Sequence, residues 1–195
     1  MKTFKLFTIL GLTVLLLLLS SCYSHKKAVQ SGLPYSEQIN WPEGFKPSES
    51  GFFIHNEIDI NASPQVVWDI FTNAAQWPEW YERAEGIELL NSPDGKLNPA
   101  SVFIWNPAGK FTSTIKEFKP PYTIAWSGET DTKNMRVYNA WTIIPTKDGC
   151  KVVSNESQNG PKTKMEKIFA PNMVRKNIGE WLVRLKEQAE KKSKN

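Results

Sequence analysis

The sequence predicts an α+β fold in which a curved antiparallel β-sheet wraps around one long carboxyl-terminal α-helix, with two short helices after the first strand. Two observations carry this prediction. Six strand-like segments follow one another between residues 86 and 158, and a helical pattern over residues 172–191 closes the chain. A sheet with one apolar face and a helix with one apolar stripe bury both surfaces by packing together.

The domain begins with a strand and two short helices. Phe53–Ile60 alternates in part between apolar and polar residues, which is typical of a strand. Ser63 then provides a helix cap, and Pro64 suits the first helical position. Apolar residues at helical spacing in Val67–Phe71 predict the first short helix, and Pro78–Arg83 predicts the second.

Six strands are predicted next, because each apolar segment is bounded by turn residues. Pro107–Gly109 and Thr146–Gly149 mark hairpin turns, and strands joined by short turns pair antiparallel. The predicted strands are Gly86–Leu90, Ser101–Asn106, Lys110–Phe118, Tyr122–Ser127, Met135–Ile144 and Lys151–Gln158.

The chain ends in a helical region that Ala170 and Pro171 interrupt. We predict one helix over Lys162–Phe169 and another over Asn172–Lys191. At roughly 1.5 Å per residue the second helix is about 30 Å long, enough to cross a sheet. Its apolar stripe consists of Val174, Ile178, Trp181, Leu182, Leu185 and Ala189.

The amino terminus predicts export and membrane attachment. Lys2 and Lys5 precede the uncharged stretch Leu6–Leu19, a pattern typical of a secretory signal and short for a membrane-spanning helix. Leu19-Ser20-Ser21-Cys22 follows and resembles the bacterial lipobox. The resemblance implies cleavage before Cys22, acylation of its thiol and new amino group, and a membrane partner through that anchor. An ordinary cleaved signal peptide and a permanent transmembrane anchor are the alternatives.

We therefore divide the chain into a signal peptide over residues 1–21, a polar tether over 22–50, a folded domain over 51–191 and a charged tail over 192–195. The tether is predicted from scattered prolines, serines and lysines without periodicity, with partial ordering around Trp41-Pro42 against the domain as a further possibility. Tyr23 stands where an aspartate would favour inner-membrane retention in enteric-type sorting. In a Gram-negative cell this indicates the periplasmic side of the outer membrane.

Composition disfavours several classes of function. With Lys2 and Lys5 removed, 22 basic and 20 acidic residues remain, which is too even a balance to predict a nucleic-acid partner. No metal-ligand spacing and no glycine-rich phosphate loop occurs, so we expect no metal and no cofactor. Cys150 is the one cysteine beyond Cys22, and we interpret it as a small, partly buried apolar residue.

Two segments carry a resemblance to a known family. Ile58-Asp59-Ile60-Asn61-Ala62-Ser63-Pro64-Gln65-Val66-Val67-Trp68, with Trp77-Pro78-Glu79-Trp80 downstream, resembles the opening of the SRPBCC superfamily of START-like, helix-grip proteins. Arg136–Pro145, followed by Asp148-Gly149 and Val152-Val153, is similar to the penultimate hairpin of that superfamily. The resemblance implies the helix-grip fold and a cavity between sheet and helix that holds apolar or amphipathic molecules. Members range from lipid carriers to polyketide cyclase/dehydrases.

Strand parity predicts which side chains would face that cavity. A turn at Lys147-Asp148 places side chains two residues apart on one face of the last two strands. Because some of these residues are apolar, we expect this face to be the inner one. The predicted pairs are Ile143 with Val152, Trp141 with Ser154, and Asn139 with Glu156, joined from other strands by Trp105 and Trp126.

Two alternatives to this pocket remain open at the level of sequence. Glu156 has one interpretation as a buried general acid or base and another as a solvated residue paired with Arg136. A register slip of one residue would bring Tyr138, Ala140 and Asn155 to the inner face instead.

Three functions follow from these expectations. The first is a membrane-anchored protein that binds a small hydrophobic or lipid-like ligand, with Trp105, Trp126, Asn139, Trp141, Ser154 and Glu156 as contacts. The second is a cyclase/dehydrase-like enzyme in which Glu156 or Tyr138 handles protons and Asn139 orients a carbonyl. The third is an interaction or structural role in the cell envelope, with a cavity below about 300 Å³ that is too small for such ligands.

Overall fold

The computed structural model describes residues 23–107 and 109–194. Its centre is one seven-stranded antiparallel sheet with the strand order β1-β7-β6-β5-β4-β3-β2. This order and the long final helix confirm the predicted helix-grip architecture. The strands are β1 (Phe52–Ile60), β2 (Glu88–Leu90), β3 (Val102–Trp105), β4 (Phe111–Lys119), β5 (Thr123–Thr130), β6 (Arg136–Thr146) and β7 (Gly149–Asn159).

Helices connect and cover the strands. Ser63 caps α2 (Pro64–Thr72), because its Oγ accepts a hydrogen bond from the Val66 N–H at 3.3 Å. The short α3 (Trp77–Trp80) lies between single 3₁₀ turns, where the sequence predicted a helix over residues 78–83. After β7 come α4 (Pro161–Phe169) and α5 (Met173–Lys192), close to their predicted bounds.

Helix α5 lies across the inner face of the sheet and contacts β1 and α2. Its buried residues are the predicted stripe of Val174, Ile178, Trp181, Leu182, Leu185 and Ala189. The main core forms between this stripe and the apolar side chains of the strands. Burying two apolar surfaces against each other removes both from water, which is the principal favourable contribution to folding.

Different turns and helix ends lie at the two ends of the sheet. Strand pairing places the start of β1, the β3–β4 and β5–β6 turns and the β7–α4 junction at one end, which we call the α4 end. The β4–β5 and β6–β7 turns lie at the opposite end. The carboxyl-terminal half of α5 also reaches that opposite end, where Glu190 accepts a hydrogen bond from the Asn61 N–H at 3.0 Å.

The segment over residues 23–50 corrects the expectation of a polar tether. Residues 23–36 are helical (α1), and the segment packs on the outer face of the sheet. The rings of Tyr35 and His55 stack with centroids 5.8 Å apart, and Trp41 contacts Phe53 and Tyr138. A second apolar cluster results on the outer face, made of Ile39, Ala125, Tyr138 and Ala140 with Trp41 and Phe45 against it.

A buried carboxylate holds this segment to the sheet. Glu117 accepts hydrogen bonds from the Asn40 N–H at 2.8 Å, from Asn40 Nδ2 at 3.1 Å and from the Tyr138 hydroxyl at 3.1 Å. Lys119 Nζ lies 2.7 Å from the same carboxylate. A β-bulge between Ile115 and Glu117 interrupts the alternation of β4. Ile115 therefore packs in the inner core while Glu117 faces outward.

The predicted signal peptide and Cys22 lie outside the described residues. Within the described ranges, no helix combines the length and the hydropathy that a transmembrane span requires. Cys150 is buried, and burial together with the nearby Asp59 carboxylate raises the pKa of its thiol to about 11. A thiol with so high a pKa stays protonated near neutral pH and is a poor nucleophile.

Candidate functional site

Strands β6 and β7 have the register that parity predicted. The observed pairs are Ile143 with Val152, Trp141 with Ser154, and Asn139 with Glu156. Ile143, Val152 and Trp141 belong to the main core beneath α5, so this face is the inner one. The register slip left open by the sequence is absent, and Tyr138, Ala140 and Asn155 lie on the outer face.

An internal cavity lies at the α4 end, between the inner face of the sheet and the amino-terminal half of α5. Trp105, Trp126 and Trp181 form much of its apolar wall, and Tyr81 closes one side with its hydroxyl donating to the Asn177 carbonyl at 3.3 Å. Its polar lining consists of Ser113, Asn139, Glu156, Gln158, Glu166 and Asn177.

The cavity is small because aromatic side chains fill most of the interior. Phe71 and Trp141 have ring centroids 4.6 Å apart, and Trp181 lies 4.9 Å from Trp141, 5.0 Å from Trp77 and 5.3 Å from Trp105. The volume that remains is about 70 Å³. Sites for drug-sized ligands measure roughly 300–1,000 Å³, so this cavity suits a few water molecules or a ligand of a few heavy atoms.

Glu156 is the central polar group of the cavity. Its side chain is 9 % exposed and accepts hydrogen bonds from Asn139 Nδ2 at 2.5 Å and from Gln158 Nε2 at 2.6 Å. Burial raises the pKa of the carboxyl to about 7; the two amides oppose that rise and the Glu166 carboxylate adds to it. The solvated alternative is wrong, since Arg136 lies over the Phe45 ring, 5.8 Å from its centroid.

A second carboxyl stands nearer to the opening. Glu166 projects from α4 into the cavity lining, with Lys162 Nζ 3.8 Å from its Oε1. Burial raises the pKa of Glu166 against the opposing charge of Lys162. The described lining thus contains two carboxyls and no basic residue, with Lys162 beside the outer of the two carboxyls.

Four buried polar atoms of the described lining have no hydrogen-bond partner within the protein. Three of them are acceptors and one is an indole donor, and buried polar groups in folded proteins are nearly always paired. A bound molecule or ordered water in the cavity would supply the partners. The four atoms are Asn139 Oδ1, Gln158 Oε1, Glu166 Oε2 and Trp181 Nε1.

The structure divides the predicted site residues into three groups. Trp105, Trp126, Asn139 and Glu156 come together around the cavity. Trp141 and Ser154 share the inner face but are packed in the core away from the cavity lining. Tyr138 points to the opposite face and donates a hydrogen bond to Glu117, while burial and that carboxylate raise the pKa of its phenol above the usual range.

Sequence reasoning missed several lining residues. Gln158 follows Glu156 by two positions on β7, so the two-residue period of a strand would have placed it on the same face. Trp181 was recognised only as part of the apolar stripe of α5. Glu166 carries no sequence signal, because its inward direction depends on how α4 turns back over the end of the sheet.

Comparison with known proteins identifies the family. Residues 54–190 match the model of a family described as polyketide cyclase / dehydrase and lipid transport. The chain belongs to this family. Membership places the domain in the SRPBCC superfamily of ligand-binding domains, as the resemblance implied. No curated protein sequence matches the chain.

Solved structures share the fold of this family member. A hypothetical protein of Helicobacter pylori is 22 % identical with a TM-score of 0.72, covering 77 % of this chain and 95 % of its own. The Zhui aromatase/cyclase of Streptomyces sp. R1128 is 14 % identical with a TM-score of 0.58, covering 72 % and 94 %. Norcoclaurine synthase of Thalictrum flavum is 14 % identical with a TM-score of 0.56, covering 72 % and 95 %. At these identities the likeness concerns the fold.

Proposed function

We propose that this family member is a lipid-anchored protein of the cell envelope that binds a small ligand against the Glu156 carboxyl. The observation that carries the binding proposal is the polar end of the cavity. Glu156 is buried there among apolar walls, beside the unpartnered amide oxygens of Asn139 and Gln158. Apolar walls with a few convergent polar groups are typical of small-molecule sites.

The polarity of the lining indicates the class of ligand. The unpartnered oxygens of Asn139, Gln158 and Glu166 need hydrogen-bond donors, and Trp181 Nε1 needs one acceptor. An anionic ligand would face the Glu156 and Glu166 carboxyls at close range and lose the binding energy to repulsion and desolvation. The ligand we propose has a short apolar body and an amine or hydroxyl group.

The volume sets the size of the ligand. About 70 Å³ admits an apolar body of a few carbon atoms, whereas a whole acyl chain exceeds it. A lipid-like ligand, which the sequence suggested, would place only its polar end in the cavity and leave the rest outside. We therefore propose a small amphipathic molecule rather than a complete lipid.

An isosteric series of probes tests this proposal. Butylamine, butanol and butyrate differ only in the polar group, and their binding to the full chain is measured by ligand-observed NMR. We expect butylamine to bind most tightly and butyrate most weakly. Glu156→Gln should reduce the preference for the amine at least tenfold, because it removes the charge that the ammonium group neutralises.

Tyr138→Phe is the matched control, since it removes a polar atom on the outer face and should leave the series unchanged. A preference for butyrate would contradict the proposed ligand class. If none of the three probes binds, and native mass spectrometry finds no retained molecule, the domain has the structural role of a filled, ligandless cavity.

Acid–base catalysis is a second candidate, and the pKa of Glu156 favours it. A carboxyl that titrates near pH 7 can both donate and accept a proton under physiological conditions. Tyr138 is no candidate for this chemistry because it lies on the outer face. With a substrate in hand, Glu156→Gln should abolish turnover while the unfolding free energy at neutral pH stays within about 1–2 kcal/mol of the original. An unchanged rate would remove Glu156 as the catalytic group.

The envelope location rests on the Leu19-Ser20-Ser21-Cys22 motif. Metabolic labelling of cells with a radioactive fatty acid should label the protein, and Cys22→Ser should abolish the label. Cys150 offers no competing site, since its thiol is buried. Label that persists in the Cys22→Ser variant would contradict acylation at this residue.

A further inference from the structure

The surface of α4 and the start of α5 exposes large apolar side chains. Met165 is 58 % exposed, Phe169 is 68 % exposed and Met173 is 40 % exposed. Met165 and Phe169 are four residues apart on α4 and so project from the same side of that helix. Exposed apolar side chains grouped in this way mark contact surfaces more often than isolated ones do.

Basic residues are frequent in the same stretch of the chain. Residues 161–176 contain five basic residues and a single acidic one, Glu166. Glu166 lines the cavity with Lys162 beside it, so its charge is directed away from the outer surface. We define the α4 face as the exposed set of Lys164, Met165, Phe169, Met173, Arg175 and Lys176.

The amino-terminal end of the described chain lies beside this face. His25 Nδ1 accepts a hydrogen bond from the Phe53 N–H at 3.1 Å, at the start of β1. Lys167 of α4 donates a hydrogen bond to the Gly51 carbonyl at 2.9 Å. Burial lowers the pKa of His25, and the positive charge of Lys167 lowers it further. His25 is three residues from Cys22 in the sequence.

We propose that the α4 face docks on the surface of an anionic lipid bilayer. Phe169, Met165 and Met173 would enter the interfacial layer, while Lys164, Arg175 and Lys176 would contact acidic headgroups. Two features select a bilayer as the partner: the basic residues that accompany the apolar side chains, and the position of the amino-terminal end of the described chain beside this face. The second feature rests on the proposed acylation of Cys22, three residues before His25 in the sequence.

Docking would also orient the cavity. Glu166 and Val174 line the cavity, and their sequence neighbours Met165 and Met173 belong to the α4 face. The opening therefore lies next to the bilayer surface in the docked state. A small amphipathic molecule that partitions into the headgroup layer reaches the cavity without crossing the bulk solvent.

Oxidative footprinting of the full chain in vesicles tests the docking. Hydroxyl radicals convert exposed methionines to sulfoxides, and the chain provides Met165 and Met173 as reporters with buried Met135 as an internal reference. In phosphatidylcholine vesicles with 30 mol % phosphatidylglycerol, chosen as roughly the anionic content of a bacterial surface, we expect at least threefold less oxidation of both reporters than in pure phosphatidylcholine. Exposed Tyr122, at the opposite end of the sheet, should be modified equally in both.

Charge reversal distinguishes docking of the α4 face from attachment of the chain through its amino terminus alone. The triple variant Lys164→Glu, Arg175→Glu and Lys176→Glu should lose the protection, whereas Lys147→Glu, Lys191→Glu and Lys192→Glu, an equal charge change at the opposite end, should keep it. Equal oxidation of the reporters in both vesicle compositions would overturn the proposal. Protection that increases with the ratio of protein to lipid would also overturn it, because it would assign the face to a second copy of the chain. Neither result bears on the ligand at Glu156.

Discussion

At the scale of single residues, Glu156 decides what the cavity can do. Its carboxyl lies in a cavity with tryptophan walls, and among the described residues the donors that reach it are the amides of Asn139 and Gln158. Neutral amides compensate a buried charge less well than a cation does. Ionisation of the carboxyl is therefore less favourable in the folded protein than in water, which is why the pKa of Glu156 rises to about 7.

This pKa predicts how stability depends on pH. The folded value of about 7 lies above the ordinary 4.5, so the folded state binds a proton more tightly than the unfolded state. The resulting stabilisation is complete below about pH 4.5 and is lost as pH rises through 7. A shift of this size corresponds to roughly 3 kcal/mol. Denaturant unfolding at pH 5, 6, 7 and 8 should show this loss, which Glu156→Gln should abolish.

Glu187→Gln is the control for that series, since Glu187 is an exposed carboxyl on α5. The unfolding free energy of this variant should depend on pH as that of the wild-type protein does. A wild-type profile that runs parallel to that of Glu156→Gln between pH 5 and 8 would mean that Glu156 is ionised throughout this range.

Sequence reasoning placed Asn139 and Glu156 on one face of the sheet, but it left open whether Glu156 is buried, for a physical reason. The two-residue period of a strand fixes the face of each side chain once the turn at Lys147-Asp148 is known. That rule found Asn139 and Glu156 opposite each other. It contains no information on the volume between sheet and helix, which depends on how the rings of Trp105, Trp126 and Trp181 pack.

At the scale of elements, the β-bulge in β4 is a structural device with a specific result. Without it, Ile115 and Glu117 would point to the same face of the sheet. The extra residue, Lys116, turns the carboxylate of Glu117 to the outer face, where Asn40 and Tyr138 donate to it. One irregularity in a strand thus attaches a segment that is about eighty residues away in sequence.

Glu117→Ala should loosen that segment. The substitution leaves the donors of Asn40 and Tyr138 without an acceptor, and each hydrogen bond to a charged group contributes about 1.5–3 kcal/mol. We expect the unfolding free energy to fall by about 2–3 kcal/mol. Amide hydrogen exchange over residues 23–50 should accelerate at least tenfold, while exchange in α5 stays unchanged.

Glu88→Ala on the short edge strand β2 is the matched control, because Glu88 is exposed. Its exchange pattern should equal that of the wild-type protein. Slow exchange over residues 23–50 in the Glu117→Ala variant would show that Trp41 and Ile39 hold the segment without help from the carboxylate.

Helix α1 shows why the tether was predicted wrongly. Helix α1 contacts the sheet through His25, Gly32 and Tyr35, of which Tyr35 alone is a large side chain. Periodicity of large apolar residues cannot detect such a face. Gly32 is required there because a Cβ atom would stand 2.6 Å from the Phe53 ring, yet glycine and Pro34 both argue against a helix in sequence.

At the scale of the whole molecule, both faces of the sheet are covered by different means. Helix α5 and the aromatic cluster cover the inner face, and the segment over residues 23–50 covers part of the outer face. Inner packing leaves one small cavity among the described residues that combines buried carboxyls with aromatic walls. The size of that cavity, rather than its polarity, limits which molecules can enter.

Trp105→Ala should therefore broaden what the protein binds. Removing this indole from the cavity wall opens additional apolar volume and costs about 3–5 kcal/mol of stability, as large-to-small substitutions in a core do. Fluorescence of the neutral apolar probe N-phenyl-1-naphthylamine should rise severalfold over that of the wild-type protein under conditions where both remain folded.

Phe118→Ala controls for destabilisation, since Phe118 packs against Trp68 on the inner face but does not line the cavity. It should lower stability without raising the fluorescence of the probe. An equal rise in both variants would mean that the probe reports partial unfolding instead of an enlarged site.

The contact between His25 and β1 has a consequence for the space that the protein samples. Since the fold begins within about three residues of Cys22, an acylated Cys22 would confine the domain to a layer whose thickness is roughly its own diameter. Confinement to such a layer raises the effective concentration at which the site meets molecules bound to the same bilayer surface. Encounters would then follow two-dimensional diffusion along the membrane, and molecules free in solution would meet the site only after reaching that layer.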